Sequence, residues 1–142
     1  MRASWIVVLM VVMLGACGPA TPDQILVGSW QRISEESFDG NEFSASDSCR
    51  QDDVMDYTAD GGWQRFQGAT LCEGSDNFTV ASGGWTLKGD GTILVETEVG
   101  FVGEYEAVVE ELNEERFVRT HATGLTSAPL SLRWTHVRVT GE

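Results

Sequence analysis

Positive charge is what this chain has least of: nine Lys and Arg stand against 22 Asp and Glu, for a net charge of −13 at neutral pH. Nucleic-acid binding needs a clustered basic surface, so no nucleic acid is expected as a partner, and direct adhesion to anionic headgroups is disfavoured on the same ground. Histidine is nearly absent. His121 and His136 fall on late apolar segments, and three cysteines without Cys-x-x-Cys spacing add no credible ligand set, so no metal and no cofactor are expected. Nucleophile motifs of the Gly-x-Ser-x-Gly or Ser-x-x-Lys kind are missing. Carboxylates do adjoin, as Asp52 with Asp53 and Glu110 and Glu111 with Glu114 and Glu115, but so acidic a chain pairs carboxylates by chance. The acidic stretches from Asp47 to Asp56 and from Glu110 to Glu115 carry no EF-hand pattern and read as solvated loops. The sequon Asn77-Phe78-Thr79 reads as incidental. No catalytic residue is therefore assigned, and the chain is not expected to be an enzyme.

Long hydrophobic runs are also lacking, apart from one near the start. Trp5 to Leu14 is apolar throughout, too short to span a bilayer as a mature helix, and is preceded by the single charge of Arg2. The run closes with Leu14-Gly15-Ala16-Cys17. This segment resembles the lipobox of bacterial lipoproteins, which implies a diacylglyceryl thioether on Cys17 and cleavage before it. The expected organisation is a signal peptide over 1–16, a lipidated cysteine and Pro-containing tether over 17–25, and one folded domain over 26–142. Gly18 is not the aspartate that in some bacteria holds lipoproteins at the inner membrane. The expected address is the cell envelope, by lipid anchor, at the outer membrane facing the periplasm or the cell surface.

With Cys17 assigned to lipid, Cys49 and Cys72 remain, and an even pair in an exported protein is expected to be a disulfide. It would close a loop of roughly 24 residues, worth ~3 kcal/mol on chain-entropy grounds.

From Leu26 onward short alternating segments are broken by glycine and aspartate, with no convincing helical period except around Val108 to Arg116. Ala59-Asp60-Gly61 and Gly89-Asp90-Gly91 read as three-residue hairpin loops with glycine at the left-handed bulge position. That rule sets Tyr57 opposite Trp63, Leu87 opposite Ile93, and Trp85 opposite Val95, apolar against apolar in each case. Placing Trp63 inward also points Arg65 inward, so either a bulge intervenes or a cation faces the lumen. Further strands are expected at Val27–Ser34, Ile93–Val99, Gly103–Val109, Arg116–His121 and Leu130–Val139. Eight antiparallel strands in a chain of this length suit an all-β up-and-down barrel, with a two-sheet sandwich as the alternative.

The ordered set Leu26-Val27-Gly28-Ser29-Trp30, Cys49, Tyr57-Thr58-Ala59-Asp60-Gly61-Gly62-Trp63, Cys72, Gly84-Trp85-Thr86-Leu87 and Gly89-Asp90-Gly91-Thr92 resembles the lipocalin-like domain of small bacterial lipoproteins. The resemblance implies that Gly28 and Trp30 form the first-strand motif closing one barrel end, with a late arginine, Arg133 or Arg138, over the indole. It implies a membrane-anchored module with a small apolar ligand in the lumen, lined by Tyr57, Trp63, Trp85, Leu87, Val95 and Trp134. The other reading is an envelope protein partner, bound as an inhibitor or assembly accessory by a barrel with a filled core. A wide apolar cavity would favour the first, and a solid core the second.

Overall fold

A computed structural model describes residues 18–38, 40–45, 49–70, 81–123 and 130–140. Cys17 and the run before it, Cys72, Asn77 and Asp47 lie outside the described residues. A short helix, α1 (Pro22–Leu26), is followed by nine strands: β1 (Gly28–Phe38), β2 (Phe43–Ala45), β3 (Val54–Tyr57), β4 (Gly62–Phe66), β5 (Ala81–Lys88), β6 (Ile93–Glu98), β7 (Tyr105–Leu112), β8 (Arg116–Thr123) and β9 (Leu130–Arg138). All pairings are antiparallel, and β1 pairs with β9 to close eight strands into a barrel, as expected. β2 is the addition: it pairs with the far half of β1 and extends the wall beyond the ring. Among the described residues no helix is long and apolar enough to cross a membrane.

The folded region begins earlier than its prolines suggest. Pro22 occupies the first helical turn, Thr21 Oγ1 accepts from the Gln24 backbone N–H, and Gln24 Oε1 accepts from the Thr21 N–H at 2.9 Å. This capping box satisfies donors that so short a helix leaves free. Residues 22–25 therefore belong to the fold and not to the tether. Leu26 is fully buried, and its carbonyl accepts the Trp30 indole N–H at 2.7 Å, so α1 plugs one barrel end.

The two hairpins part company in register. Around Ala59-Asp60-Gly61, Thr58 and Gly62 pair, Gly61 takes φ +85°, and Tyr57 faces Trp63 as expected. At the second hairpin Gly89, Asp90 and Gly91 all take positive φ, and the Thr92 N–H donates to the Gly89 carbonyl at 3.1 Å. The connection thus has four residues, because aspartate between two glycines tolerates the left-handed region and makes a left-handed turn available. Lys88 faces Ile93, Leu87 faces Leu94 and Trp85 faces Glu96. A slip of one residue reverses the faces of β6, so the expected pairs Leu87 with Ile93 and Trp85 with Val95 are not formed. Leu94 and Glu96 point into the lumen. Val95 lies on the other face, opposite Thr86 and Glu106.

The apolar core gathers at the α1 end, with Leu26, Trp30, Tyr57, Leu94, Ala107 and Phe117 and with Trp85, Leu87 and Leu112 packed against them, and Met55, Trp63 and Ala81 continue it further into the barrel. Toward the opposite end the inward positions become polar.

Candidate functional site

Three inward aromatics are each followed, two residues on, by arginine: Trp30 and Arg32 on β1, Trp63 and Arg65 on β4, Phe117 and Arg119 on β8. Alternation sends both members of each pair to the same face, so a layer of guanidiniums lies above the aromatic plug. Arg65 facing the lumen is thus the resolution of the β4 puzzle, without a bulge. These arginines border a cavity of about 190 Å³, lined also by Met55, Trp63, Glu96, Glu98, Tyr105, His121 and Trp134.

The cavity floor is a hydrogen-bonded cluster. Glu96, 6% exposed, accepts from the Tyr57 hydroxyl at 2.6 Å on one oxygen and from Arg119 Nη1 at 2.6 Å on the other. Burial opposes the Arg119 charge, but Glu96 and Tyr57 together more than offset it and hold the guanidinium protonated above its usual range. Burial, followed by the proximity of Glu96, raises the Tyr57 hydroxyl well above the phenol range although Arg119 works against it. Two cations lie over Trp134, with the Arg32 and Arg119 Cζ atoms 4.2 and 4.9 Å from its ring centroid. Arg32, 2% exposed, meets Glu35 at 3.2 Å, and burial followed by Arg119 lowers its pKa to about 10. His121 stands edge-on to Trp134 at 4.4 Å, and burial followed by the Arg119 charge lowers its pKa to about 4. It is neutral at physiological pH. Near the mouth Arg65 lies 3.9 Å from Asp53, while Tyr105 stacks on Phe101 at 4.9 Å.

Of the expected lumen residues, Trp63 and Trp134 line this cavity. Tyr57 lies in the layer beneath and orients Glu96. Trp85 and Leu87 pack at the plugged end, where the Trp85 indole donates to the Thr58 carbonyl at 3.1 Å. Val95 is turned away by the β6 register. Sequence reading missed Arg32, Arg119 and Glu96. The repeated aromatic-x-Arg spacing could have found the arginines, whereas Glu96 depended on a turn geometry that apolar pairing misjudged.

The arginine over Trp30 is Arg138, with Cζ 4.3 Å from the indole centroid. Arg133 does not take that place. β9 sets Arg138 directly across from Trp30 and Arg133 across from Glu36, and the odd spacing between the two arginines puts them on opposite faces. Arg133 instead covers Phe43 at 3.9 Å and pairs with Glu110. Arg138 donates to the carbonyls of Ile25, Val27 and Glu114, fastening α1 to the barrel. Gly28 is required there by its φ of +129°, which residues with a side chain rarely adopt, and a Cβ would also displace the Arg138 guanidinium.

His121 and His136 both face inward, but His136 stacks on Phe117 at 5.3 Å rather than meeting His121. Among the described residues no three His, Cys, Asp or Glu side chains are grouped to hold a metal ion. Glu110 and Glu111 serve ion pairs with Arg133 and Arg116, and Asp52 accepts from the Thr70 N–H at 2.8 Å. No protein-family model matches the chain, and no curated protein is significantly similar to it.

Proposed function

We propose that this chain is an envelope lipoprotein, anchored through lipid on Cys17, whose lipocalin-like barrel binds a small molecule in its lumen. The observation that carries the binding reading is the cavity of about 190 Å³ between Trp63 and Trp134, above a floor of buried, mutually bonded side chains. Such a floor holds its shape without a ligand, which is the preorganisation a binding site needs. The cavity is smaller than an apolar-ligand carrier requires, and Arg32, Arg65, Arg119, Glu96 and Glu98 stand among the aromatic side chains of its walls. The ligand is accordingly compact and bears polar atoms. A disulfide between Cys49 and Cys72 belongs to the same proposal, and an exported address supports it.

Native mass spectrometry of the mature protein, purified in mild detergent from its own host, tests both parts. A retained small molecule and a diacylglyceryl mass increment on Cys17 are expected. Protein without the increment overturns the anchor, and protein consistently empty after gentle isolation counts against the ligand.

The second reading, an envelope protein partner, draws on the β6–β7 loop. Val99, Phe101 and Val102 are exposed there beside the cavity mouth. In-host photocrosslinking from position 102 to one recurring protein, in a preparation that carries no small molecule, would favour it.

A further inference from the structure

Three buried N–H donors have no acceptor among the described residues although their side chains line the cavity: Arg32 Nε, Arg119 Nε and Trp134 Nε1. All three belong to cavity-lining residues, and Arg32 and Arg119 are 2% and 1% exposed. A buried donor left unpaired is costly, and three on residues that line one hollow point to a missing acceptor. We infer that the lumen takes a compact ligand, about one ring in size, that presents a carbonyl or carboxylate oxygen to the N–H groups of Arg32, Arg119 and Trp134. This deepens the small-molecule reading above and rests on it.

Size and charge narrow the class. An apolar cavity of ~150 Å³ accepts benzene, so about 190 Å³ admits a single ring with one substituent. The guanidiniums are already met by carboxylates, Arg119 by Glu96, Arg32 by Glu35 and Arg65 by Asp53, while Glu98 stands on the cavity wall. With no cationic surplus left, a multiply charged anion is excluded and acceptor geometry dominates. A neutral amide and a monocarboxylate share that geometry. They differ at His121, where the charges of Arg119 and Arg32 oppose protonation, Glu96 favours it, and an added anion would favour it further.

The test titrates the full-length chain with benzamide, benzoate, benzylamine and toluene, read by calorimetry and by tryptophan fluorescence. Benzamide or benzoate should bind in the millimolar range or better, and benzylamine, which offers no oxygen, should not. Trp134→Phe keeps the ring and removes one donor, and should weaken oxygen-bearing probes by roughly fivefold, the equivalent of one ordinary hydrogen bond, with no effect on toluene. Arg32→Lys keeps the charge and removes the Nε–H, with the same expected direction, and the melting temperature of each variant certifies its fold. In an NMR titration of His121, benzoate should raise the midpoint and benzamide leave it in place, which distinguishes anionic from neutral ligands. Toluene binding without benzamide or benzoate would overturn the acceptor inference and leave the lumen as a binding site. Unchanged benzamide affinity in both variants would also overturn it. Failure of every probe to bind would overturn the one-ring inference, while a molecule retained in native mass spectrometry would still uphold the binding reading.

Discussion

Glu96 is the side chain on which the barrel interior depends. It sits where a small barrel would ordinarily place an aliphatic residue, and it is tolerated because Tyr57 and Arg119 occupy both of its oxygens. The two ways of breaking this cluster should differ sharply. Tyr57→Phe removes one hydrogen bond and should cost ~1 kcal/mol, whereas Glu96→Gln leaves the buried Arg119 cation without its anion and should cost ~3–5 kcal/mol. Urea unfolding of both variants measures the contrast, and equal losses would show that the ion pair is not the larger interaction. The histidines set an acid limit. His121 is held at about 4 in the fold against an ordinary value of 6.5, first by burial and then by Arg119, and burial holds His136 well below its ordinary value too. Between those limits the unfolded chain binds more protons than the folded one, so stability rises with pH from about 4 to 6.5 and is lost on acidification. The slope should reach ~1.4 kcal/mol per pH unit for each histidine, and His121→Gln should flatten the profile over that window.

At the scale of elements, alternation and glycine-centred turns announced the eight barrel strands. Alternation leaves two options for Arg65, a bulge or a cation facing the lumen, and the unbroken β3–β4–β5 register selects the second. What escaped has physical causes. The Gly89–Thr92 turn was misjudged because two loop geometries fit Gly-Asp-Gly, and apolar pairing then favoured the register that hides Glu96 outside. The extra residue of the β1 bulge at Ile33 leaves no composition signal. The short α1 was masked by Pro19 and Pro22, although Thr21 and Gln24 carry a capping-box spacing. β2 is three residues long, below what alternation can detect. The second turn also joins two elements, since a Cβ on Gly91 would lie 2.6 Å from Pro22 Cβ. Gly91 and Gly100 have nearly equal φ, +88° and +87°, but Gly100 has nothing within 4 Å of the same position. Gly100→Ala should therefore report backbone strain alone, ~1–3 kcal/mol, and Gly91→Ala that strain plus displacement of α1. If thermal unfolding gives both variants the same loss, α1 is not braced by this turn.

The whole molecule has a polarity that the proposed anchor converts into an orientation. α1, the Gly89–Thr92 turn and the Arg138 cap all lie at the plugged end, and the chain leaves α1 toward Cys17 through Thr21 and only three further described residues. Each residue spans at most ~3.6 Å, so lipid on Cys17 would hold the plugged end within ~15–20 Å of the bilayer surface. The cavity mouth, with Glu98, Tyr105 and the Val99–Val102 loop, is at the far end of strands that rise ~3.3 Å per residue. A ligand would then enter from the aqueous side rather than from the lipid, past the charged side chains of Arg65 and Glu98 on the cavity wall. A net charge of −13 works in the same direction by repelling the domain from anionic headgroups. Fluorophores on Asp90→Cys and Val102→Cys variants, in lipidated chain reconstituted with headgroup-quencher lipids, test this orientation. Quenching should be strong at position 90 and weak at position 102. The reverse order would lay the mouth against the membrane, make the exposed Phe101 and Val102 a lipid contact, and reopen an apolar ligand drawn from the bilayer.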